Sequence, residues 1–141
     1  MPGFIGVVPI NQLASMPPLR DRQSLVINYF DEERQHGNRH WVAARRLSDQ
    51  VTEFFDSFGS PPAPPVAAYL KRGAAKIHSS SRDIQAWNSV ACGAHCVHFI
   101  LESVKGKSLS QISHEFPQFL SYDTDPVLGN DRRLALDLKN L

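Results

Sequence analysis

Gln85-Ala86-Trp87-Asn88-Ser89-Val90-Ala91-Cys92-Gly93 sets a glutamine amide just ahead of a cysteine that opens an apolar stretch. Beyond it, Ala94, Val97, Phe99, Ile100, Leu101 and Val104 are apolar on nearly every face of a helical projection, and such a helix belongs in a core. A thiol at the start of that helix gains from the positive end of the helix dipole. With an imidazolium beside it, it reaches the thiolate form at neutral pH. Gly93 leaves no side chain where a substrate backbone would approach. Taken alone, Cys92 fits a small buried core cysteine equally well, as Cys96 does.

Two upstream segments change the weight of that reading. His40-Trp41 heads an apolar strand-like run, and Phe54-Phe55-Asp56-Ser57-Phe58-Gly59 ends the next one. Adjacent strands joined by a short loop bring the start of one beside the end of the other, so the spacing predicts that His40 and Asp56 meet. An imidazole acting as a base needs an acceptor on its far nitrogen to fix its tautomer and stabilise the imidazolium, and Asp56 would supply it. Asp56 also fits a turn-capping aspartate before Ser57-Phe58-Gly59. Gln85 would add a side-chain donor for a developing oxyanion, beside the backbone N–H of the nucleophile. Trp41 and Gly93 are the candidates for lining the substrate. The remaining histidines, His36, His78, His95, His98 and His114, lack such company.

The chain has 141 residues, one domain spanning 1–141, long enough for a core without disulfides or a structural metal. Its strands of 24–30, 41–46 and 52–55 precede any helix and enclose a hairpin loop over 47–50. The N-terminal residues read as an extended arm entering a capped turn. The proline-rich residues 60–65 enter a helix over 66–72 rather than divide domains, because proline suits a first helical turn. A short strand over 75–78, the Cys92 helix, a helix over 109–119 and a last amphipathic helix after Asn130-Asp131 follow. The fold class is therefore α+β, a central mixed β-sheet flanked by helices.

Cys92 and Cys96 are the two cysteines, and their placement on one helix disfavours a disulfide, so both are expected reduced, in an intracellular or virion setting. No signal-peptide pattern opens the chain and no apolar run reaches spanning length, which predicts a soluble protein without a membrane partner. A formal net charge of +1 does not demand nucleic acid. The basic pairs Arg45-Arg46, Lys71-Arg72 with Lys76, and Arg132-Arg133 read as solvated surface, with weak DNA binding left open.

In that chain order, His40-Trp41, Phe55-Asp56-Ser57-Phe58-Gly59, Gln85 and Asn88-Ser89-Val90-Ala91-Cys92-Gly93 resemble the adenovirus protease (adenain) family of viral cysteine proteases. The order His-Asp-Gln-Cys is shared with the SUMO and ubiquitin-like protein (Ulp-like) proteases. The resemblance covers residues 4–101, including Gly6-Val7 and Leu25-Val26-Ile27-Asn28. It implies that Cys92 is the nucleophile, His40 the general base and then acid, Asp56 the orienting carboxylate and Gln85 the oxyanion donor. It further implies an endopeptidase that cleaves viral precursor polypeptides through a thioester during virion maturation, in the infected cell, its nucleus included, and in the virion. The chain departs from the adenovirus enzyme in having no cysteine outside the Cys92 helix to receive a disulfide-tethered activating peptide. The segment between Asp56 and Gln85 is also short. No cofactor is required by the sequence; activation by a peptide or by a polyanion such as DNA stays open.

Three rivals remain. Cys92, His95, Cys96 and His98 are zinc-compatible types, but four tetrahedral ligands rarely come from one continuous helix, so no metal is expected. A SUMO- or ubiquitin-like isopeptidase would use the same four residues, and a catalytically silent binding protein would keep only the fold.

Overall fold

A computed structural model describes residues 2–29, 40–73, 76–85 and 92–116. The expected turn over 31–38, the residues from Ala86 to Ala91, the end of the 109–119 helix and the helix after Asn130 lie outside the described residues.

Five strands form one sheet in sequence order: β1 (Phe4–Pro9), β2 (Ser24–Asn28), β3 (Trp41–Arg46), β4 (Val51–Phe55) and β5 (Lys76–Ser79). The central pairs β2–β3 and β3–β4 are antiparallel, while β1 and β5 join the two edges in parallel. The sheet is thus mixed, as expected. The N-terminal arm is the edge strand β1, and the turn after it is a 3-10 helix, Ile10–Ser15, that no side chain caps.

Strand alternation splits the core into two layers. Leu25, Ile27, Val42, Ala44 and Phe54 face the 3-10 turn and helix α1 (Pro64–Lys71), meeting Leu13, Val66, Tyr69 and Leu70. Val26, Ala43 and Phe55 point the other way, against helices α2 (Cys92–Val104) and α3 (Leu109–His114), and pack with Cys96, Phe99, Ile100 and Ile112. Both faces are covered, which is why β2 and the first part of β3 read as near-continuous apolar runs. Helix α1 begins with proline in its first turn, as the sequence predicts. Helix α3 opens on a capping box in which Ser108 and Gln111 exchange side-chain-to-backbone hydrogen bonds.

Helix α2 has no exposed residue along its length. Its register on the sheet is set at both ends by β3. Near its start, Cys96 Sγ donates to the Trp41 carbonyl at 3.3 Å and Gly93 lies against the Trp41 ring. Near its end, Arg45 Nη1 donates to the carbonyl and hydroxyl oxygens of Ser103, at 2.7 and 2.9 Å. Strand residues 41–45 rise about 13 Å and helix residues 93–103 about 15 Å, so the two elements run parallel in step. The cation also meets the negative end of the helix dipole.

The Arg45-Arg46 pair is therefore not a solvated basic patch. Arg46 donates to the Leu19 and Ser48 carbonyls at 2.7 and 3.1 Å and pairs with Asp21 at 3.0 Å. Arg72 donates to the Met16 carbonyl at 2.7 Å. Arg46 thus fastens loops to the sheet, and Arg72 ties the end of α1 to the end of the 3-10 turn.

Phe99 is wholly buried and stacks on Phe55 with ring centroids 5.1 Å apart, so it locks α2 onto β4. Phe99→Ala is expected to destabilise the fold by about 3–5 kcal/mol in urea unfolding, with Phe99→Leu losing clearly less. Equal losses would show that the ring itself, and not the volume it fills, holds the helix on β4.

Candidate active site

The end of β4 turns sharply through Asp56-Ser57-Phe58-Gly59, where Gly59 N–H donates to the Asp56 carbonyl at 2.8 Å. Gly59 has φ +75°, and a Cβ there would stand 2.8 Å from the backbone of Ser81 and Arg82. Only glycine lets the turn sit this close to the segment leading to Gln85. Asp56 is 3% exposed. Its Oδ1 accepts from Phe58 N–H at 2.8 Å and lies 2.7 Å from His40 Nε2.

His40 immediately precedes β3. Because β3 and β4 pair as Ala43 with Phe55 and Arg45 with Glu53, continuing the register brings Phe58 opposite His40 and Asp56 two residues away. The hairpin thus brings histidine and aspartate together as the spacing predicts. With Nε2 held by Asp56, Nδ1 is the nitrogen left for the Cys92 thiol, which acts with Asp56 on the pKa of the ring. Burial pushes the His40 pKa down, but the hydrogen bonds to Asp56 and Cys92 and both negative charges outweigh it. The result is a rise from 6.5 to about 9.

Cys92 is the first residue of α2 and is 8% exposed. Burial works to raise its pKa; the hydrogen bond and charge of His40, together with the backbone N–H groups of Trp41 and Gly93, pull it below the ordinary 9.0. The helix dipole acts in the same direction. Cys96, one turn further in, is the opposite case. Burial holds its pKa well above the ordinary value, helped by the neighbouring Cys92 and Asp56 charges. Two thiols of one helix thus have their pKa values pushed in opposite directions. Both are free of disulfide.

Gln85 is fully buried. Its segment docks on the turn after β4, with Ile84 N–H donating to the Ser57 carbonyl at 2.8 Å. The Ser57 hydroxyl donates to Gln85 Oε1, so the Nε2 end of the amide is the one turned to other partners. Asp83 Oδ1 accepts from Gln85 N–H at 3.3 Å. Trp41 is half-buried. A Cβ at Gly93 would meet its ring at 3.8 Å, so the open side of Gly93 faces the indole.

Sequence reasoning singled out neither Ser57 nor Phe58 for a function, although both lie between residues it did quote. The Phe58 ring centroid is 4.7 Å from that of His40, tilted by 30°, and Tyr29 meets His40 edge-on at 5.9 Å. His95 and His98 are buried against the edge of Phe116 and His78 lies on β5, so none of the three joins Cys92. Among the described residues no group of three His, Cys, Asp or Glu side chains is arranged to hold a metal. No helix among them is long and apolar enough to cross a membrane. A separate cavity of about 290 Å³ between β5 and α3 is lined by Glu53, His78 and several serines, and none of His40, Asp56, Gln85 or Cys92 borders it.

No family model matches the chain, and no curated protein matches it. Among solved structures the fold is similar to that of the ASFV pS273R protease, with TM-score 0.50 and 17% identity, covering 74% of this chain and 39% of that one. A Se-Met structure of the same protease gives TM-score 0.49 and 19% identity over 64% of this chain and 38% of that chain. HopZ1a in complex with IP6 is more distant, with TM-score 0.43 and 14% identity over 73% and 37% of the two chains. The chain thus spans 39% of the length of the protease it matches best in shape among these three. The likeness to the ASFV protease gives this chain an α+β, cysteine-protease-type fold, with a mixed five-stranded sheet at its centre.

Proposed function

We propose that the chain is a cysteine peptidase in which Cys92 attacks, His40 moves the proton, Asp56 orients His40 and Gln85 stabilises the oxyanion. The order Asp56–His40–Cys92, with imidazole and aspartate 2.7 Å apart and a thiol at the start of α2 whose pKa the imidazole lowers, carries this reading. The Cys92 thiolate adds to the carbonyl carbon of a peptide bond, and the negative charge moves to the oxygen. Gln85 Nε2 and the backbone N–H at the start of α2 receive it. Collapse of this adduct breaks the C–N bond as imidazolium His40 gives its proton to the leaving amine. The thioester that remains is attacked by a water whose proton neutral His40 accepts, releasing the acid and regenerating thiolate and imidazolium.

The proposed substrates are polypeptides cleaved internally, with viral precursor proteins the first class to try. The order of the four residues and the fold shared with a viral protease support that choice. Trp41, beside Gly93 at the thiol, is proposed to line the substrate. A peptide or DNA activator is part of the proposal only as an addition to the assay.

A thiol-directed alkylator followed by peptide mass mapping is expected to modify Cys92 in the folded protein and spare Cys96. Cys92→Ala should abolish turnover of glycine-containing peptides with unchanged circular dichroism, and Asp56→Asn should lower it by roughly 10²- to 10⁴-fold. Cys96→Ala should keep Cys92 alkylation. Ubiquitin-like fluorogenic substrates in the same panel, with and without DNA, separate peptidase from isopeptidase. Full activity of Cys92→Ala would overturn the mechanism.

The pH dependence follows from the two shifts. The His40 pKa is raised, so its stabilising effect on the folded chain is complete below about 6.5 and lost as pH rises through about 9. The Cys92 pKa is depressed, so its contribution is present above 9.0 and lost as pH falls through the lowered value. Thiolate and imidazolium coexist between these limits. Turnover is expected to rise on an acidic limb set by the lowered Cys92 pKa and to fall near pH 9. A monotonic rise through that pH, as an isolated thiol gives, would count against the ion pair.

A further inference from the structure

We propose that the turn after β4 is the positioning unit of the site, in which Phe58 fixes the plane of the His40 ring and Ser57 fixes which end of the Gln85 amide donates. This rests on the peptidase reading and adds two residues to it. Neither touches the reacting atoms; each acts through one that does.

The four turn residues divide the work. Asp56 Oδ1 is shared by His40 Nε2 at 2.7 Å and Phe58 N–H at 2.8 Å. The backbone that carries the Phe58 ring therefore also holds the oxygen on which His40 pivots. An imidazole held by one hydrogen bond can still rock about it, and a rocking ring loses its line to the thiol. The Phe58 ring, 4.7 Å away and tilted by 30°, closes one face of the imidazole, while the Tyr29 edge contact at 5.9 Å closes a second side. A π-face beside the ring also favours the imidazolium over the neutral form.

Ser57 lies on the other side of the same turn, fully buried. Its carbonyl accepts from Ile84 N–H, and its hydroxyl donates to Gln85 Oε1. A carboxamide presents an acceptor at one end and a donor at the other, and an oxyanion is stabilised only by the donor. By occupying the oxygen, Ser57 selects the orientation in which the other end of the amide, Nε2, donates. Gly59 closes the unit, because its packing on Ser81 and Arg82 ties the turn to the segment that delivers Gln85.

The two positions have separable signatures. Alkylation by iodoacetamide needs the thiolate and develops no oxyanion, whereas peptide acylation needs both. Phe58→Ala is therefore expected to shift the pH profile of Cys92 alkylation toward that of an ordinary thiol and to lower kcat with little change in KM. Phe58→Tyr should restore both. Ser57→Ala is expected to leave the alkylation profile unchanged and to lower kcat for peptides by about 10-fold or more, a fraction of the 10²–10³ that loss of an oxyanion donor costs, with Ser57→Thr restoring it. Phe58→Leu, which keeps bulk without the π-face, replaces the alanine variant should that variant lose its native circular dichroism. An unchanged alkylation profile in the Phe58 variants overturns the first half of the proposal. Equal slowing of alkylation and acylation in Ser57→Ala overturns the second. The alkylation arm needs no substrate, so failure of the parent protein to cleave any peptide would refute the peptidase reading without deciding the role of Phe58.

Discussion

The parallel docking of α2 on β3 is the constraint on which the site depends. Trp41 holds the helix near its start and Arg45 holds its end, and because His40 directly precedes Trp41, the thiol at the first position of α2 can only arrive beside the imidazole. Hydrophobic burial of Phe99, Ile100 and Cys96 supplies the adhesion, but it is indifferent to a shift of the helix along the sheet. The polar contacts at the two ends set the register. The placing of Cys92 relative to His40 is thus set by Trp41 and Arg45.

Much of this was legible in the residues. Strands β2 and β3 announce themselves through apolar runs buried on both faces and β4 through its Phe54-Phe55 end, and the hairpin between β3 and β4 follows from its short loop, so the meeting of His40 with Asp56 needed only strand geometry. The helix that carries Cys92 was legible from its apolar pattern. The edge strand β1 was not, since Gly6 and Pro9 dilute its pattern and its pairing partner, β2, lies across a 3-10 turn. The Arg45-Arg46 pair misled because charge is visible in a sequence while its acceptors, Ser103, Leu19, Ser48 and Asp21, are set by tertiary contact. Ser57 and Phe58 stayed hidden for the same reason. Their partners come from the segment before α2 and from the preceding strand.

The two cysteines illustrate how position decides chemistry. Cys92 and Cys96 share a helix and a face, yet one thiol sits where the dipole and an imidazolium meet, and the other lies one turn deeper among aromatic and aliphatic side chains. The thiol deeper in the core donates to a strand carbonyl and serves packing. Its high pKa also keeps a second negative charge away from the nucleophile.

Because His40 and Cys92 are brought together only by the finished sheet and the helix packed on it, the reactive thiol has no counterpart in the unfolded chain. An extended or nascent chain carries a cysteine of ordinary acidity, with only a few per cent thiolate at neutral pH. Nucleophile and base come from either side of the β4–α1–β5 crossover, so the residues between them must be folded before the pair can exist. Under the peptidase reading proposed above, assembly order would act as a safety catch: by the time such a chain could attack a peptide bond, its own strands β2 to β4 would already be buried and out of reach.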